Sequence, residues 1–193
     1  MISLDEDYIG FASDAILIRG LKVCGGLLCA LSNNRLVGAH FTSITTTSEI
    51  LTACTYVANH MFGGGNVTSM YFIYNMDEWG TRGDKYASPM ALIGDLKLMM
   101  RYNGIAKVFD KNILGGSVDV KLVRNGLATT ISHRITPNPD PATSVPNSNV
   151  KRVKTQHDSN TPTILALNNI HNHKIPDVRG GFTPFQGGLF AKV

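Results

Sequence analysis

Two apolar runs near the start of the chain, Gly20-Leu21-Lys22-Val23-Cys24-Gly25-Gly26-Leu27-Leu28-Cys29-Ala30-Leu31 and Val37-Gly38-Ala39-His40-Phe41, are separated by the polar break Ser32-Asn33-Asn34-Arg35. They read as two antiparallel strands joined by a hairpin turn. The period then changes. Thr46-Thr47-Ser48-Glu49 is a capping-box signature, and Ile50, Leu51, Cys54, Val57, Ala58 and Met61 behind it recur at helical spacing until Gly63-Gly64-Gly65 ends the helix. Val67 to Tyr74 alternates as a strand. Ser88-Pro89 provides an N-cap residue and a first-turn proline for a second helix, with Met90, Ile93, Leu96, Met99 and Met100 as its buried stripe and Asn103-Gly104 as a left-handed stop. A short strand around Ala106 to Phe109 follows. Ser117 to Val123 and Leu127 to His133 then form alternating runs joined by Asn125-Gly126, a strong hairpin signal.

This order predicts an α+β fold: a central, mostly antiparallel β-sandwich or sheet with two main helices packed alongside. Composition shifts after His133. Seven of the eight prolines lie between Pro137 and Pro184, and Thr136 to Val150 is mostly Pro, Asn, Ser and Thr, so an extended linker is expected there. The chain therefore divides into a domain at 1–135 and a Pro/Asn/Gly-rich extension at 136–193 that packs on the core, or is tethered to it, as an irregular C-terminal arm. Within it Thr163 to Leu167 predicts an edge strand, and Gly180-Gly181-Phe182 to Phe190 a glycine-hinged aromatic segment.

Length and composition suit one modest soluble domain: 193 residues, 43% hydrophobic and 17% charged. No run of about 18 apolar residues is present, so no membrane span is expected. Residues Met1 to Asp7 are acidic and lack an apolar centre, unlike a secretory signal peptide. The net charge of +4 is too small, and the cluster Lys151-Arg152-Val153-Lys154 too short, to predict nucleic-acid binding; the cluster reads as a solvated patch in a flexible setting.

The candidate chemistry lies in the first two runs. His40 follows sixteen residues after Cys24, and adjoining antiparallel strands can present a thiol and an imidazole at one solvent-reachable place. Three cysteines without Cys-x-x-Cys spacing suggest neither a disulfide framework nor a zinc site, so Cys29 and Cys54 are read as small buried hydrophobes. His171 and His173 form a weak ligand pair, and neither a metal nor an organic cofactor is expected.

Gly20-Leu21-x-x-Cys24, a small and aliphatic strand, and then Gly38-Ala39-His40-Phe41 resemble the active-site stretch of the bacterial glutamine deamidases typified by the chemoreceptor deamidase CheD. Asn112-Ile113-Leu114-Gly115-Gly116 resembles that family's Asn-x-Gly-Gly segment, and the likeness in element order runs over roughly residues 8 to 135. The resemblance implies a CheD-like fold, with Cys24 as nucleophile and His40 as its base. The family usually places a threonine where Ile18 stands, to orient the histidine, and a Gly-Ser pair where Lys22-Val23 stands. The related cytotoxic necrotizing toxins are thought to orient the histidine with a main-chain carbonyl, so a backbone acceptor near Ile18 is the expected substitute.

The function implied is cysteine-dependent deamidation of a glutamine in a target protein through a thioester. The departures at Ile18 and Lys22-Val23, with the C-terminal arm, favour a toxin or secreted effector acting on a host regulatory protein over a chemoreceptor deamidase. The expected location is the bacterial cytoplasm, or a host cell reached by a route that needs no signal peptide. From other classes, a papain-like thiol protease or a non-catalytic binding module is the alternative.

Overall fold

The computed structural model describes residues 1–4, 6–43, 45–75, 79, 89–110, 116–136, 150–154, 163–166, 183–184 and 191–192. Among these residues the architecture is α+β, with two helices and two mostly antiparallel sheets. The strands in chain order are β1 (Ile2–Leu4), β2 (Tyr8–Ala12), β3 (Ala15–Leu21), β4 (Gly25–Leu31), β5 (Leu36–Phe41), β6 (Val67–Tyr74), β7 (Lys107–Asp110), β8 (Ser117–Asn125) and β9 (Ala128–Thr136). Four short ones follow: β10 (Val150–Lys154), β11 (Thr163–Ala166), β12 (Thr183–Pro184) and β13 (Ala191–Lys192). The helices are α1 (Thr47–His60) after β5 and α2 (Pro89–Met99) after β6. One sheet has the order β1-β3-β8-β9-β12, the other β11-β10-β2-β5-β4-β6-β7-β13. Only β1 with β3 and β6 with β7 pair in parallel.

The eight-stranded sheet is the middle of three layers, because its central strands are apolar on both faces. Along β4, Leu27, Cys29 and Leu31 join Ile50, Cys54 and Val57 of α1 and Ile93 and Leu96 of α2 in one buried cluster. The alternate residues Leu28 and Ala30 belong to a second cluster, with Ile16, Ile18 and Leu21 of β3 and Val118, Val120 and Leu122 of β8. Period-two alternation thus sends successive residues of one strand into two different cores. Cys29 and Cys54 are both buried in the helix-side core, as expected of small hydrophobes.

Local signals account for most boundaries. Thr46 caps α1: its Oγ1 accepts from the Glu49 N–H at 3.3 Å, while Glu49 Oε2 accepts from the Thr46 N–H at 2.7 Å. These two bonds satisfy first-turn donors that would otherwise lack partners. Helix α2 ends differently from expectation. The left-handed residue is Arg101 (φ 54), not Asn103 or Gly104, and the N–H groups of Tyr102 and Arg101 reach back to the carbonyls of Lys97 and Leu98. That is a Schellman ending, in which two bonds to the last carbonyls offset the cost of a non-glycine left-handed residue. In the β8–β9 hairpin, Asn125 pairs with Ala128, so the two turn residues are Gly126 (φ 62) and Leu127. Asn125 therefore closes the ladder instead of entering the turn.

The C-terminal strands join both sheets. β10 pairs with β2 and with β11, β12 with β9, and β13 with β7. The cluster Lys151 to Lys154 consequently lies in a paired strand, not in a flexible setting, because its backbone finds ladder partners on both sides. β11 is the edge strand that its apolar run predicts. The expected linker between Thr136 and Val150, the His171/His173 pair, most of the Gly180 to Phe190 segment, Ser88, and Asn112 to Gly115 lie outside the described residues.

Candidate active site

The hairpin β4–β5 builds the site. Leu31 N–H donates to Arg35 O at 2.8 Å and Asn34 takes φ 65, closing the turn at Ser32 to Arg35. The register sets Gly26 opposite His40 and Gly25 opposite Phe41. Cys24 stands one residue before β4, so Cys24, Gly26 and His40 share the face turned towards the five-stranded sheet. Cys24 and His40 are diagonal neighbours on that face, a relation that spans about 7–8 Å in an antiparallel pair. Gly26 between them has no side chain, and a Cβ there would meet Ile18 Cδ1 at 2.9 Å.

His40 is fully buried, and its Nδ1 lies 3.2 Å from the main-chain oxygen of Leu4. With Nδ1 as the donor, Nε2 is the acceptor nitrogen of the ring. Leu4 is the register partner of Ile18 in the parallel β1–β3 pair. Where Ile18 offers no hydroxyl, the adjacent strand thus supplies a carbonyl to the imidazole.

The surroundings of Cys24 differ from those expected of a solvent-reachable nucleophile. Its exposure is 2%, and its thiol donates to Glu6 Oε1 at 3.5 Å. Burial first, then the charge of Glu6 and that hydrogen bond, then the charge of Asp7, push the thiol up to about 12, against the opposing pull of the hydrogen bond from the Ser43 N–H. The thiol is therefore held in its protonated form at neutral pH. Burial is the main cause, and the Glu6 carboxylate set at the sulfur adds to it by favouring the protonated form.

Two further side chains hold the segment ahead of the sulfur. Asn75 Nδ2 donates to Lys22 O at 3.2 Å and Trp79 Nε1 donates to Val23 O at 2.9 Å. The Trp79 ring also lies against Gly25, where a Cβ would come within 2.6 Å of its Cζ2. Gly25 is therefore required by the close approach of an indole. On the other flank, Thr45 is a fully buried hub: its Oγ1 accepts from the Thr42 N–H at 2.9 Å and donates to Asp7 Oδ1 at 3.2 Å. This hub ties Thr42, the neighbour of Ser43 whose N–H reaches the sulfur, to Thr45 and Asp7. Glu6, Thr45, Asn75 and Trp79 carry no sequence signal of their own, since each acts across a large separation along the chain.

Among the described residues no group of three His, Cys, Asp or Glu is arranged to hold a metal ion, and no helix is long and apolar enough to cross a membrane. Cys24 opens a strand, so the helix-opening cysteine of a papain-like protease is not the arrangement found. No protein-family model matches the chain, and no curated protein matches it.

Proposed function

We propose that the protein is a cysteine-dependent protein glutamine deamidase of the CheD and cytotoxic-necrotizing-factor type, acting as a toxin or effector on a host protein. The observation that carries this reading is His40 on the face of the hairpin that Cys24 also joins, with Nδ1 held by the Leu4 carbonyl. In the reaction, His40 Nε2 takes the thiol proton and Cys24 Sγ bonds to the amide carbon of the target glutamine. The C–N bond then breaks as the imidazolium gives its proton to the departing ammonia, leaving a thioester. Water, deprotonated by His40, splits the thioester, releasing glutamate and restoring the thiol. The Ser43 N–H favours the thiolate, and main-chain N–H groups near Gly25 and Gly26 are candidates to hold the oxyanion. No metal or organic cofactor enters this scheme.

A non-catalytic binding module is the second reading, favoured by the buried, protonated thiol. Candidate host proteins incubated with the protein and mapped by mass spectrometry distinguish the two. A deamidase converts one glutamine to glutamate, raises the mass by about 1 Da and releases ammonia; a module changes nothing, and a protease shortens the target. Conversion that persists in Cys24→Ser would refute the reading.

A further inference from the structure

Glu6 is an exposed residue, yet its carboxylate is hydrogen-bonded to a thiol that is almost wholly buried. A thiol is a weak donor and offers little return for holding a carboxylate at an apolar layer. The turn is instead kept in place by its neighbour. Asp7 adopts a left-handed φ of 67, its N–H donates to His40 O at 2.9 Å, and its Oδ1 accepts from Thr45 Oγ1. The latch thus joins the turn to the strand of the imidazole and to the segment whose N–H faces the sulfur. A non-glycine residue holds a left-handed conformation at some cost, so opening the turn relieves it as it breaks these bonds.

The group held at the sulfur is chemically informative. A glutamate side chain within hydrogen-bond reach of Cys24 is the side chain that deamidation of a glutamine would leave there. We propose that Glu6 occupies the subsite of the target's glutamine side chain, as an internal stand-in for the product, and that Cys24 becomes reactive when a protein substrate displaces Glu6 and Asp7. The identity of the displaced group rests on the deamidase reading; the closure of Cys24 by Glu6 does not. Displacement removes a neighbouring negative charge and an acceptor from the thiol and leaves the Ser43 N–H, which favours the thiolate.

The test compares the wild-type protein with Glu6→Ala and Glu6→Gln, following iodoacetamide labelling of each cysteine by peptide mass and ammonia release from a blocked Gln-Gly dipeptide. Cys24 is expected to label at least about tenfold faster in Glu6→Ala than in wild type and at an intermediate rate in Glu6→Gln, while Cys29 and Cys54 stay unlabelled and so report an intact fold. If Glu6→Ala labels at all three cysteines, the isosteric Glu6→Gln decides alone. Equal Cys24 rates in wild type and the folded variants overturn the closure. Ammonia release with unchanged labelling does the same while sparing the deamidase; faster labelling without release in any variant upholds the closure and removes the deamidase and the product stand-in with it.

Discussion

Cys24 and Cys29 stand five residues apart, at the head of one strand and inside it, and both are buried, yet they belong to different cores. The odd separation sends Cys29 to the helix side, where Cys54 is its neighbour and apolar side chains enclose both. Cys24 faces the layer between the sheets, near its end, where Glu6, Asp7 and the Ser43 N–H converge. Burial raises both thiols, but only Cys24 is also held up by carboxylates and pulled down by a main-chain donor. Exposure in the resting fold therefore does not tell a candidate nucleophile from a packing residue. The polar surroundings of Cys24 do so.

The largest effect expected is on turnover. Cys24→Ser and His40→Ala should each lower ammonia release from a target by roughly a thousandfold or more, whereas Cys29→Ser should leave it nearly intact. Equal losses from the two cysteine variants would erase the contrast. In stability the order reverses. Cys29→Ser sets a hydroxyl in the helix-side core at a cost of about 1–3 kcal/mol, measurable by urea unfolding, while Cys24→Ser keeps a carboxylate acceptor and should cost less.

The glycines between the two layers sharpen the comparison. Gly25→Ala drives a Cβ into the Trp79 ring at 2.6 Å, and Gly26→Ala into Ile18 Cδ1 at 2.9 Å. Overpacking costs about 1–3 kcal/mol, and the rigid indole should place Gly25→Ala at the upper end and the pliable isoleucine tip Gly26→Ala at the lower.

A pH titration reads the thiols together. Folding raises the pKa of all three cysteines above the ordinary value of 9.0, so above that pH the unfolded chain loses protons that the folded chain keeps. The stability contributed by the protonated thiols is complete below pH 9 and should decline as pH rises towards 12. Replacing Cys29 or Cys54 with alanine should flatten that decline. The smallest effect is local: Thr46→Ala removes the α1 cap and should cost about 1 kcal/mol without changing Cys24 labelling.

Legibility in the sequence followed range. The β4–β5 hairpin, the Thr46/Glu49 box, strand Val67–Tyr74 and the buried positions Ile93, Leu96 and Met100 in and just after α2 depend on neighbours within a few residues, and pattern alone located them, although it passed over buried Leu92 and counted Met99, which is half-buried. The Schellman ending at Arg101 escaped because a left-handed arginine breaks the glycine rule, held by two bonds that composition cannot reveal. The imidazole's acceptor was anticipated in kind, a main-chain carbonyl near Ile18, but finding Leu4 required the parallel pairing of β1 with β3. Glu6 escaped because a turn's position over a distant strand end is a property of the assembled layers. The same holds for Trp79, whose indole recognises the Val23 carbonyl across the fold.

That indole has a practical consequence. It belongs to the only tryptophan of the chain, is buried, and touches the main chain on both sides of Cys24 through the Val23 carbonyl and Gly25. Its fluorescence is thus a built-in optical gauge of the main chain around Cys24, and a red shift in emission on mixing with a target would report a rearrangement there without any attached dye.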